Sequence, residues 1–141
     1  MTAARTVEVT GAAPAANRPV VIVGPGEGHR VGNVEFLART NDTPFYNLAI
    51  VVLAPGQGVE AHVHRDEDDA FLVLEGMLSL TLGDDAQAVE AGPWTYVLVP
   101  AGTRHAIANT GREDVRLLNV HAPGGFDRRI GLGPVRTGHF V

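Results

Sequence analysis

The chain has 141 residues, enough for one domain of ordinary size that buries about two thirds of its extended surface. A formal net charge of −5, with all eleven basic residues arginine, argues against nucleic acid as the main partner and leaves no lysine for Schiff-base chemistry. Cysteine is absent, which excludes a disulfide framework, a thiolate metal site and a cysteine nucleophile.

Residues 1–19 are Ala-rich, with Pro14 and Pro19 near their end, and Thr6 to Val9 alternates as a short edge strand or an arm would. Val20 to Val23 reads as an apolar strand that the glycine cluster Gly24-Pro25-Gly26-Glu27-Gly28 ends. No Lys-Ser/Thr follows that cluster and no helix opens after it, so it is a turn and not a phosphate loop. Val34 to Ala38 and Phe45 to Leu53 are the next strands, divided by Asn41-Asp42-Thr43-Pro44. The second is almost wholly apolar, as a strand covered on both faces would be. Met77–Leu82, Gln87–Glu90, Trp94–Val99, His105–Asn109 and Val115–His121 complete the series, each bounded by Gly, Pro or Asx turns. No segment holds a 3.6-residue period for more than a turn or two, so helix should be scarce. No run approaches the ~20 apolar residues of a membrane helix, and the N-terminus lacks a charged-then-apolar signal, so a cytoplasmic protein is expected.

The chemistry gathers in Gly56–Gly76, GQGVEAHVHRDEDDAFLVLEG. His62 and His64 are two apart, which on a strand sends both imidazoles to one face, about 7 Å apart. Asp69 closes the acidic run Asp66-Glu67-Asp68-Asp69 and leads into Phe71-Leu72-Val73-Leu74. Further on come Pro100, Gly102, His105 and Asn109. Two imidazoles and a carboxylate meeting from neighbouring strands, joined by a third imidazole, suit one divalent metal ion per chain.

These residues resemble the two motifs of the cupins. The first lands on Gly56, His62, His64, Asp69 and Gly76, and the second ends on Pro100, Gly102, His105 and Asn109. Two departures are visible. Asp69 stands where the family has glutamate, and seven residues rather than five separate Gly92 from Pro100. The resemblance implies an all-β jelly-roll barrel over residues 20–122, after an arm over 1–19. A tail over 123–141 would pack on the barrel or on a partner subunit. The frame HVH…DDAF…PAGTRH with the closing NVHAPGGF is similar to the single-domain aromatic polyketide cyclases of the resistomycin type.

His62, His64 and His105 are the expected metal ligands. Zinc is favoured, although imidazoles also suit iron, nickel and copper, and manganese fits a site with a carboxylate. The fourth position lies between Asp69 and His121. Arg116 belongs in water, so strand parity turns Val115, Leu117, Asn119 and His121 inward. A hairpin closed at Thr110–Glu113 would set His105 opposite Asn119, with His121 one diagonal step away, within ~8 Å. There His121 would serve as ligand or as general base. Glu67 and Asp68 read as a solvated loop face, with orientation of the imidazoles as the alternative. His29 and His139 receive no role. Phe45, Tyr46, Phe71, Trp94 and Tyr96 read as core or strand residues, and those facing inward would line a cavity suited to a flat ring.

Three functions follow as expectations. The favoured one is metal-assisted aldol cyclisation and dehydration of a poly-β-keto substrate. A metal-dependent dioxygenase of the quercetinase type, acting on a phenolic ring substrate, is the runner-up, and a non-enzymatic small-molecule sensor the third. Sheet edges left by a short jelly roll make a homodimer the expected assembly, exchanging the arm and Val20–Val23.

Overall fold

The computed structural model describes residues 4–8 and 18–131. In them the chain forms β1 (Arg5–Val7), β2 (Val20–Ile22), β3 (His29–Val31), β4 (Val34–Ala38), β5 (Asn47–Leu53), β6 (Gly58–His62) and β7 (Asp68–Glu75). There follow β8 (Leu78–Leu82), β9 (Gln87–Ala91), β10 (Tyr96–Val99), β11 (His105–Ala108), β12 (Val115–Ala122) and one short helix, α1 (Phe126–Gly131). Six strands in the order β10-β7-β12-β5-β4-β3 make one antiparallel sheet, and β6-β11-β8-β9 make the other. β1 and β2 pair as a separate ribbon; Val9 lies outside the described residues. The all-β jelly roll is therefore the fold.

Alternation builds it. In β5 and β12 every odd residue is buried and every even one half-buried, so one side of the six-stranded sheet faces the core. Val34, Phe36, Val51, Leu53, Val73 and Leu117 from that sheet join Val59, Leu78, Leu80 and Ile107 from the other in a single apolar cluster. Each such side chain contributes roughly 1.5–3 kcal/mol by leaving water. Along β12 the inward residues change from Val115 and Leu117 to Asn119 and His121. The core is thus apolar at one end and polar at the other, and the polar end holds the motif histidines.

Several local expectations are corrected. β11 and β12 do not form a hairpin: β11 pairs with β6 and β8, and β12 lies between β5 and β7. The segment between them carries the chain from one sheet to the other. Asn109 ties that crossing, its Nδ2 donating to the carbonyls of Leu53 and Glu113 at 2.8 and 2.7 Å. Likewise β6 and β7 lie in opposite sheets, so His62 and Asp69 meet across the barrel and not along a ladder. Gly76 makes the turn out of β7 at φ +82°, where an added Cβ would stand 2.6 Å from the Asp114 carbonyl.

Of the five aromatics read as core or strand residues, Phe71 is in the core, Tyr96 is in a strand but faces out, and Phe45, Tyr46 and Trp94 are in neither. Only Phe71 is buried, whereas Trp94 is 74% and Phe45 65% exposed, and Tyr46 and Tyr96 are also at the surface. β5 starts at Asn47 and β10 at Tyr96, so Phe45, Tyr46 and Trp94 precede their strands. Tyr96 has the outward parity of an edge strand. Trp94 also takes φ +66° in the turn that accommodates the long Gly92–Pro100 spacing. Neither β3 nor α1 was expected, and α1 closes the polar end of the barrel with Phe126 and Ile130 buried.

Candidate metal centre

β6 delivers His62 as its last residue, and the chain turns out of it at His64. β11 opens on His105, which pairs with His62 in register. From the opposite sheet, Asp69 near the start of β7 faces His121 near the end of β12, again as register partners. The site therefore sits at a seam between the two sheets.

Each motif imidazole is anchored from outside by Nδ1. That of His62 donates to the Glu60 carbonyl at 2.6 Å, and that of His105 to the Thr103 carbonyl at 2.9 Å. The Nδ1 of His64 lies 3.2 Å from Glu67 Oε1. All three Nε2 atoms are thereby turned inward. His62 Nε2 stands 3.0 Å from His64 Nε2, and Asp69 Oδ2 stands 3.4 Å from His64 Nε2 and 2.8 Å from His105 Nε2. Donors each about 2.1 Å from a tetrahedral ion are roughly 3.4 Å apart, so these separations fit one small divalent cation. Carbonyl or carboxylate partners on the remote nitrogen are also what fix a ligating histidine's tautomer.

Electrostatics favour positive charge at the same point. Burial raises the cost of ionising Asp69, yet hydrogen bonds from His105, His64 and Asn119 hold its carboxyl far below the usual range. Burial likewise opposes protonation of His64, but its bonds to Asp69 and Glu67 prevail and raise its pKa to about 9. Without an ion, a proton on His64 supplies the cation that the buried carboxylates require. His62 is lowered, chiefly by burial, and presents the neutral form that a ligand needs.

Of the two rivals for the fourth position, Asp69 stands inside the four-donor group with His62, His64 and His105, whose ligand atoms all lie within 4.8 Å of one another. From the start of β7 its shorter side chain reaches His64 and His105. His121 is beside this group, its Nε2 3.4 Å from the other carboxylate oxygen, Asp69 Oδ1. It belongs to a second buried trio, His64, Glu67 and His121. Burial lowers its pKa to about 4 against the pull of Asp69, so it is neutral at pH 7.

Glu67 is buried rather than solvated, bonded to His64 and to Arg129 of α1. Asp68 is exposed and accepts from the Ala101 N–H at 2.9 Å, so it braces the loop and not the imidazoles. His29 is exposed in β3, and His139 lies outside the described residues.

The sequence reading turned Asn119 inward without giving it a role, and it missed two neighbours, Phe126 and Arg129. Asn119 donates to Asp69 Oδ1 at 2.6 Å and to the Ala70 carbonyl at 3.0 Å, which orients the carboxylate. Phe126 stacks on His121 with centroids 3.8 Å apart and planes at 10°. Arg129 lies over the Phe126 ring at 5.4 Å. The signal for the last two was Gly124-Gly125 followed by apolar residues at Phe126 and Ile130, with Asp127 in the first turn and arginines in the last.

Comparison with known proteins adds context. The profile of the family described as Cupin domain matches residues 49–121. The quercetin 2,3-dioxygenase of Bacillus subtilis (strain 168) is 35% identical over 86 residues, which are 59% of this chain and 25% of that protein. The chain spans no more than a quarter of the length of the curated relatives it matches. Among solved structures, the polyketide cyclase RemF from Streptomyces resistomycificus superimposes with a TM-score of 0.57 at 26% identity, covering 63% of each chain. The cupin domain of Schizosaccharomyces pombe Cnp3 gives a TM-score of 0.67 at 21% identity, covering 95% of this chain and 94% of that one. Among the described residues, no helix is long and apolar enough to cross a membrane.

Proposed function

The chain belongs to the cupin family, and we propose that it is a metal-dependent cyclase that closes a ring in a poly-β-keto substrate by aldol addition and loss of water. The observation that carries this reading is the convergence of three Nε2 atoms and one carboxylate oxygen beside a neutral buried histidine. His62, His64, His105 and Asp69 would hold one divalent ion, with zinc favoured. The likeness to the polyketide cyclase RemF supports the same direction.

A bound divalent ion supplies Lewis acidity toward a carbonyl oxygen. The remaining roles fall to the chain. His121 Nε2 accepts a proton from the methylene carbon between two carbonyls, and the electron pair left behind forms the new carbon–carbon bond. The His121 imidazolium returns its proton to the resulting alkoxide, and departure of hydroxide with a second α-proton, together one water, completes the dehydration. Asp69, held by Asn119, stabilises the imidazolium formed at His121. The apolar walls from Val34, Val51, Phe71 and Leu117 exclude water from the enolate.

A second reading, a dioxygenase acting on a phenolic ring, draws on the identity to the quercetin dioxygenase. Metal analysis of protein purified without a tag, with oxygen uptake measured on phenolic substrates and ring closure on poly-β-ketones, separates the two. Zinc content with ring closure and no oxygen uptake is the expected result. Iron, copper or nickel with oxygen consumption overturns the cyclase in favour of the dioxygenase. Metal binding with neither activity leaves the cupin as a binding protein.

A further inference from the structure

The space left among the candidate ligands is about 30 Å³, room for a single water molecule. A benzene ring occupies a cavity of roughly 150 Å³. The site as closed therefore holds no ring, and something must leave before one enters.

The wall best placed to leave is α1. Its Phe126 ring lies flat on His121 at 3.8 Å and edge-on to His64 at 6.1 Å, in the position that a conjugated ring would take beside the metal ligands. The helix follows Gly124-Gly125, and Gly125 takes φ +123°, a backbone region open to glycine. Its first turn is anchored: Asn47 Oδ1 accepts from the N–H groups of Gly125 and Asp127, and Asp127 accepts from Thr40 N and Oγ1. Its last turn is fastened differently. Arg129, still 45% exposed along its side chain, bonds Glu67, which also faces Nδ1 of His64. One ion pair at the rim thus connects the helix to a metal-ligand candidate.

We infer that the Phe126 ring and the last turn of α1 form a displaceable plug that pivots on the anchored first turn. Phe126 stands in for the flat conjugated ring of the ligand, and Arg129, which lies over the Phe126 ring and bonds Glu67, is the latch. The inference rests on the proposed reading of this cavity as a substrate site, and it specifies how the substrate gets in. A ring ligand displaces Phe126 and stacks on His121 in its place. Because the competent state is open, apparent affinity is reduced by the fraction of molecules that are closed. Loosening the latch should therefore tighten binding without adding a contact.

The test uses zinc-loaded full-length protein and 4-nitrocatechol, followed by absorbance in stopped flow and by hydrogen exchange of the 126–131 amides. For the wild type, slow binding accompanied by faster exchange in α1 is expected. Arg129→Gln should speed association about tenfold while zinc content stays at one ion per chain. Phe126→Ala should bind about tenfold tighter, and its zinc content serves as the check that the barrel has folded. If the wild type binds the probe with α1 fully protected, and neither variant alters the rate, the ring enters past half-exposed His62 and the plug is wrong, though the cavity reading stands. If zinc-loaded Phe126→Ala takes up no ring at all, the cavity reading falls and the plug with it.

Discussion

The two sheets contribute unequally to the seam between them. The four-stranded sheet and the loop leaving it bring three imidazoles, each pinned by Nδ1 to a nearby oxygen, a backbone carbonyl for His62 and His105 and the Glu67 carboxylate for His64. The six-stranded sheet brings Asp69, Asn119 and His121 from adjacent strands, where one carboxylate serves as the partner of nearly everything. The first side is arranged to donate lone pairs, and the second to place charge and move protons. Metal affinity should therefore fail by degrees when one side is altered, whereas chemistry should fail at a single residue on the other.

The largest effect is expected from His62→Ala/His64→Ala, which leaves two donors and should abolish stoichiometric metal. Elemental analysis finding one ion per chain in that variant would mean that the site lies elsewhere. Asp69→Asn keeps the shape and removes the charge, so zinc affinity should drop on the order of 10–100-fold or more, measured by competition with a chromophoric chelator. Unchanged affinity would assign the charge-bearing role to Glu67. His121→Ala should keep its metal and lose turnover by ~10²–10⁴, which metal content and kcat measured on one sample decide. Loss of the ion instead would make His121 a ligand and blur the division between the sheets.

The smallest effect is on the pH dependence of the metal-free protein. His64 has a folded pKa raised from 6.5 to about 9, so its contribution to stability is full below pH 6.5 and is lost as pH rises to 9. His121 is lowered to about 4, so its contribution is full above pH 6.5 and is lost as pH falls to 4. Urea midpoints should therefore peak near pH 6.5. Zinc should remove the alkaline decline, because a liganded imidazole carries no proton on that nitrogen. A flat profile without metal would contradict the charge arrangement described for Asp69.

Much of this seam could be read from the chain. The two motifs brought out His62, His64, Asp69 and His105, although their donors come from the end of β6, the loop after it, the start of β7 and the start of β11 rather than from one strand face. Arg116 settled which half of β12 faces inward, and Asn119 and His121 are buried as that parity requires. The partner assigned to β12 was wrong, since a turn such as Thr110–Glu113 looks the same whether it closes a hairpin or crosses between sheets. The exposed aromatics misled because apolar character does not say where a strand begins, which left Phe45, Tyr46 and Trp94 ahead of theirs, or which face of an edge strand is covered, which left Tyr96 outside. The helix α1 is too short for a 3.6-residue period to emerge, and its effect on the site arises from Phe126 meeting His121, a contact visible only in three dimensions.

The position of β12 between β7 and β5 has a consequence for biosynthesis. It is the last strand among the described residues, yet it occupies the interior of the larger sheet, pairing Val115 with Leu53 and His121 with both Asn47 and Asp69. Until residue 122 has emerged, β5 and β7 carry unpaired apolar edges, and the carboxylate of Asp69 lacks Asn119. Closure of the larger sheet therefore waits for residues 115–122, and is slow, as long-range antiparallel pairing is, and exposed to aggregation in the interval. A nascent chain arrested before Val115 should be cut readily by protease, and one extended past α1 should resist it.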